Sequence, residues 1–216
     1  MSIDTHDRTP IPKSLYSDDV WEDREEAITQ RRWVPGEPGI WALIFTDLTV
    51  FTIYFIDVMY QWGDSRQAFA AGHKEISLTS GILNTFFLLT ASLCVALGVQ
   101  KLRHGHVQLT SRLFLGAGVA GAAFVINKYI EWSGEVHDGH TPQSSLFFQL
   151  YFILTGIHLF HVLIAMTLLL FMRRRVSKVV GTPTPHQSRF IENCAIYWHM
   201  VDLLWLGILA LFYLMR

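Results

Sequence analysis

Charged side chains are scarce in this sequence and cysteine is almost absent. Of 216 residues only 16% are Asp, Glu, Lys or Arg, against about 25% in an ordinary soluble domain, while 51% are hydrophobic and mean hydropathy is +0.30. Too few polar groups exist to cover a water-facing surface, which excludes a conventional soluble domain. A basic surplus is also missing: 17 Lys and Arg oppose 18 Asp and Glu. Nothing in that balance neutralises a phosphate backbone, so nucleic acid is excluded as a partner. The two cysteines, Cys94 and Cys194, each sit alone in an apolar run, which excludes a disulfide framework, a zinc ribbon and an iron–sulfur motif.

What the chain has instead is long apolar runs. A bilayer core about 30 Å thick needs roughly 20 apolar residues of helix, and five such spans are expected over residues 39–62, 77–100, 113–134, 145–172 and 190–215. The first follows the breaker Pro35-Gly36-Glu37-Pro38-Gly39 and is too long, and too far from Met1, for a cleavable leader. The predicted fold is all-α: a polytopic transmembrane bundle of five helices over residues 38–216, preceded by a polar tail over residues 1–37. That tail carries nine acids and five bases, and Ser17 to Trp33 has the charge order of a short helix, acids first and arginines last.

Between spans, thirteen Lys and Arg fall on the side of the tail and three on the other. The positive-inside rule places the N-terminus in the cytoplasm and the C-terminus outside. Trp41, Trp62, Trp132 and Tyr213 lie near span ends, where aromatic belts form. Arg173, Arg174, Arg175 and Lys178 make a basic collar after the fourth span, suited to topology signalling or to anionic lipid headgroups.

A charge inside the bilayer costs at least about 2.5 kcal/mol, so each one calls for a partner or a purpose. The candidates are Asp47, Lys128, Glu131, His158, His161, His199 and Asp202. Counted along the helices, Asp47, His158, His161, His199 and Asp202 share depths of about 14 to 22 Å and are expected to form a buried polar cluster. Glu131, at about 28 Å, is expected with Lys128 as an outer polar pair. His158 and His161, Lys128 and Glu131, and His199 and Asp202 are each three residues apart, so each couple shares a helix face. Three readings are open for these groups: haem or metal ligation by facing imidazoles, a proton or ion path, and an interhelical hydrogen-bond lattice that sets packing. In the third span Ala117 and Gly121, and Gly118 and Ala122, form small-xxx-small steps that admit a neighbouring backbone.

The last two spans carry a resemblance. Tyr151-x-x-x-Thr155-Gly156-x-His158-x-x-His161-Val162 and Tyr197-Trp198-His199-x-Val201-Asp202-x-x-Trp205 resemble the signature helices of haem–copper (cytochrome c) oxidase subunit III. Ile44-Phe45-Thr46-Asp47-Leu48-x-x-Phe51 and Lys128-x-x-Glu131-Trp132 are similar to two further segments of that family, with Asp47 where it has Glu and Lys128 where it has Gln. Five spans match its short form, which lacks the first two helices. The resemblance implies a third subunit with no catalytic residue, haem or metal of its own, packed against the haem- and copper-bearing subunit I and beside subunit II. It also implies bound phospholipid, a bacterial plasma membrane and oxygen reduction coupled to proton movement. An accessory protein of a quinol oxidase or nitric oxide reductase, and a di-haem b electron carrier, stand as alternatives.

Overall fold

The computed structural model describes residues 38–179 and 184–215. The expected tail helix at Ser17 to Trp33, and the residues Thr182 and Pro183 of the loop before the last span, lie outside the described residues. Six helices follow: α1 (Pro38–Asp64), α2 (Arg66–Glu75), α3 (Leu78–Arg103), α4 (Val107–His137), α5 (Leu146–Val176) and α6 (Pro185–Leu209), which runs into a π-helical turn (Ala210–Leu214). No strand occurs among the described residues. Among the described residues five helices are long and apolar enough to cross a membrane, and each matches an expected span to within a few residues, except that α4 begins six residues early and α6 five.

Local chemistry sets the helix ends. Ser77 and Ser145 cap α3 and α5 by accepting from Ser80 N at 3.5 Å and Phe148 N at 3.3 Å. Thr184 opens α6 with a reciprocal capping box to Gln187, followed by Pro185 at the first helical position. That box explains the early start of α6. Between α3 and α4 the chain reverses through Gly105 at φ +77, and α4 ends at Gly139 with φ +89, both left-handed positions. Arginines close α5 at its carbonyl end.

The ten-residue α2 was not expected, because it is far too short to register as a span. It lies between α1 and α3 with Phe69, Gly72 and His73 buried. Phe147 of α5 meets Phe69 and His73 edge-on at ring distances of 5.4 and 4.9 Å. The His73 Nδ1 lies 2.9 Å from the carbonyl of Phe212 in the π turn. α3 and α4 form a tight antiparallel hairpin against which α5 and α6 pack. Gly121 allows this closeness, since a Cβ there would run into Met166 and stand 3.1 Å from Trp198. α1 is peripheral and buries only Ile44, Phe51 and Val58.

Candidate functional site

Glu131 of α4 gathers donors from three other helices. Its Oε1 accepts from Tyr151 on α5 at 2.6 Å and from Tyr213 in the π turn at 2.5 Å. Its Oε2 accepts from Ser80 at 2.8 Å and Asn84 at 3.4 Å, both on α3. Lys128, one turn earlier on α4, stands 3.3 Å from Glu131 Oε1 and donates to the hydroxyls of Tyr151 and Tyr213 at 2.8 and 2.9 Å. Each tyrosine hydroxyl therefore accepts one hydrogen bond from the ammonium and donates one to the carboxylate. Asn127 extends the network by donating to Ser80 Oγ at 3.1 Å and to Asn84 Oδ1 at 2.9 Å.

This pair, expected toward the outer end, is sealed, with side-chain exposures of 1% for Lys128 and 3% for Glu131. The ammonium faces the rings of Tyr151 at 4.6 Å and Trp205 at 5.4 Å, where cation–π attraction replaces water. The ammonium of Lys128 meets the two tyrosine hydroxyls and Glu131 Oε1, and the carboxylate, an acceptor-only group, meets four donors besides Lys128. The assembly is neutral and joins α3, α4, α5 and the end of α6.

Tyr213 was expected in an interfacial belt; the structure buries it to 2% exposure. The π turn is the reason, because its wider winding turns Leu211, Phe212 and Tyr213 all inward. Sequence reasoning also missed Ser80, Asn84 and Asn127. Their signal was present: Ser80 and Asn84 are one helical turn apart within a span, and an amide in hydrocarbon needs a partner.

The five residues expected as a mid-membrane cluster divide among separate environments. Asp47 on α1 pairs with His161 on α5 at 3.6 Å, with side-chain exposures of 17% and 16%. The His161 Nδ1 donates to the carbonyl of Ile157 at 2.7 Å, which turns Nε2 toward Asp47. His158 is wholly enclosed, its ring near Trp205 at 5.4 Å and Phe124 at 5.9 Å, and neither nitrogen has a hydrogen-bond partner among the described residues. His199 lies with Nδ1 2.6 Å from Ser92 Oγ on α3. Asp202 is buried on the same helix, with Oδ1 unpartnered among the described residues. Trp205 donates to Thr85 on α3 at 3.0 Å.

At the basic end, Arg103 of α3 donates through Nε and Nη2 to Glu192 Oε1 of α6 at 3.2 and 2.7 Å. Of the basic collar, Arg173, Arg174 and Arg175 fill the last turn of α5, and Lys178 follows it. Arg175 lies over the Phe190 ring at 4.0 Å. Cys94 and Cys194 are free thiols on α3 and α6. Among the described residues, no three His, Cys, Asp or Glu side chains come together as a metal-holding group.

Comparison with known proteins gives a consistent set of likenesses. Residues 70–215 match the family model of cytochrome c oxidase subunit III. Cytochrome c oxidase subunit 3 of Corynebacterium diphtheriae is 28% identical over 167 residues, which cover 77% of this chain and 80% of that protein. Quinol oxidase subunit 3 of Bacillus spizizenii is 27% identical over 183 residues, covering 82% and 85%. Cytochrome bo(3) ubiquinol oxidase subunit 3 of Pseudomonas putida is 25% identical over 178 residues, covering 82% and 84%.

Proposed function

The chain belongs to the cytochrome c oxidase subunit III family, and from that premise we propose that it is the non-redox third subunit of a bacterial terminal oxidase, holding the catalytic subunit and its lipid in place. As a haem–copper oxidase subunit III it is a multi-pass membrane protein, part of an oxidoreductase complex and associated with other oxidase subunits. In our reading it packs on subunit I, which carries haem and copper, beside subunit II. The complex reduces oxygen in the plasma membrane as part of aerobic electron transport coupled to proton movement. This chain supplies no redox centre or catalytic residue. Its tail, residues 1–37, lies in the cytoplasm, and residues 38–216 form the membrane domain with its C-terminus outside.

One observation carries the proposal: the Lys128–Glu131 pair is saturated by donors and acceptors from its own bundle. Such a pair has no free valence for an iron or a passing ion, and it fixes the mutual placement of four chain elements. His161, turned onto Asp47, is likewise engaged locally. The sets Asp47, His158, His161, His199 and Asp202, and Lys128 with Glu131, are in this reading packing determinants. Arg173, Arg174, Arg175 and Lys178 form a collar for anionic phospholipid headgroups.

Copurification tests the proposal. Tagged chain from gently solubilised membranes should bring down a haem-bearing subunit, whereas the purified chain alone should show no Soret band. A Soret band in the isolated chain, or solute flux in liposomes containing only this chain, would overturn it. The electron donor follows from the captured partner: likenesses to quinol oxidase subunits over 82% of the chain make a quinol-fed complex the second reading.

A further inference from the structure

Residues 101–112 join α3 to α4 and carry Lys101, Arg103, His104, His106 and Arg112 without a single Asp or Glu. Arg103 is engaged by Glu192 of α6. Lys101 and Arg112 have no ion-pair partner among the described residues. The chain reverses between them through Gly105, at φ +77, and both line one open cleft of about 500 Å³ with His106 and Gln108. No acid lines it, and neither does any residue of the collar that closes α5.

Towards the bilayer the same hairpin turns apolar. Val107 and Leu109 belong to the cleft wall. Leu97 and Leu93, four and eight residues before Lys101, are 37% and 59% exposed, and Val119, seven residues after Arg112, is 63% exposed. Gly116 lies between Arg112 and Val119 with open space over it, since an added Cβ would meet only Cys94 Sγ, at 3.8 Å. From Lys101 to Leu93 runs about 12 Å of helix, close to the roughly 15 Å of hydrocarbon in one leaflet.

Two unneutralised cations attract an anion, and the exposed ridges beneath them attract hydrocarbon. A free phosphate answers only the first demand and a neutral lipid only the second. An anionic phospholipid answers both, and basic clefts between membrane helices are where such headgroups lodge. We propose that the α3–α4 hairpin holds one anionic phospholipid, its headgroup phosphate between Lys101 and Arg112 and an acyl chain along Leu97, Leu93 and Val119. This site is separate from the collar named in the reading above, and it rests on that reading only in that the chain lies in a bilayer.

The test uses the full chain as gently extracted from its membrane, in an Arg173→Ala/Arg174→Ala background that weakens the collar. Phosphatidylglycerol with a photoactivatable acyl chain is added, and the labelled positions are read by peptide mass spectrometry. Adducts between Leu93 and Leu97 or around Val119 are the expected result, stronger than those of the matching phosphatidylcholine. Lys101→Gln/Arg112→Gln should lower them roughly 25-fold, about fivefold per charge. Lys101→Arg/Arg112→Lys should restore them, which separates lost charge from lost folding. Labelling there that phosphatidylcholine equals, that survives removal of both cations, or that fails to return with the exchanged pair overturns the proposal. So does labelling confined to other helices, or its displacement by inorganic phosphate alone, the mark of a free-anion site. Capture of a haem-bearing subunit is read separately, so either result can fail while the other stands.

Discussion

Replacing Glu131 by Gln removes the counter-charge of Lys128 while leaving the ammonium in a site with 1% exposure. Two effects compete in size. Interhelical hydrogen bonds average about 0.6 kcal/mol, so the four that Glu131 accepts amount to roughly 2 kcal/mol. Stranding a buried charge costs about 3 to 5 kcal/mol, so charge decides the outcome. For a chain of this size the loss corresponds to a melting shift of roughly 6 to 20 °C. Lys128→Met should cost less, because the carboxylate keeps Tyr151, Tyr213, Ser80 and Asn84 as donors. The double variant Lys128→Met/Glu131→Gln, with no charge to strand, should recover at least half of the Glu131→Gln loss. Thermal unfolding of the purified chain in one detergent, followed by tryptophan fluorescence, measures all three. Glu131→Gln as stable as the unsubstituted chain, or a double variant no better than Glu131→Gln, would refute the reasoning.

Three further outcomes follow from named contacts. In Gly81→Ala the new methyl would stand 2.5 Å from the Tyr213 ring, pushing its hydroxyl off Glu131, so the melting temperature should drop by the equivalent of about 1 to 3 kcal/mol. Asp47→Leu should cost about 1 kcal/mol by leaving His161 Nε2 alone, and Asp47→Asn less, because its amide oxygen still offers Nε2 an acceptor; equal effects in the same melt would discredit the pairing. Replacing Arg173 and Arg174 by Ala should weaken anionic phospholipid retention in native mass spectrometry by about fivefold per charge, whereas retention at the unsubstituted level would reduce the collar to a topology signal. Arg175 is left in place there because it packs on Phe190 at 4.0 Å.

The expensive residues were legible one by one, and several couples were legible as well. Lys128 and Glu131 meet because three residues on one helix share a face. Asp47 and His161 lie at similar depths on different helices, and depth is what a residue count reports. The count is blind to rotation about the helix axis. Hence His199, at the depth of Asp47, proves to be turned toward Ser92 on α3. Tyr213 was misplaced in a belt because a π turn leaves no trace in hydrophobic spacing. The short α2 escaped for the same kind of reason: its two buried side chains, Phe69 and His73, acquire meaning only against Phe147.

By itself the sequence determined that this chain lives in a membrane, how many times it crosses, and which side chains demand neutralisation, because hydrocarbon imposes those terms on each helix separately. Tertiary structure alone decided who neutralises whom. Tyr151 and Tyr213 lie 62 residues apart in the chain, and only the docking of α5 and the π turn beside α4 brings both hydroxyls onto one carboxylate. The physical reason is range: transfer into lipid is a property of a segment, whereas a hydrogen bond acts over about 3 Å and depends on how neighbouring helices are turned.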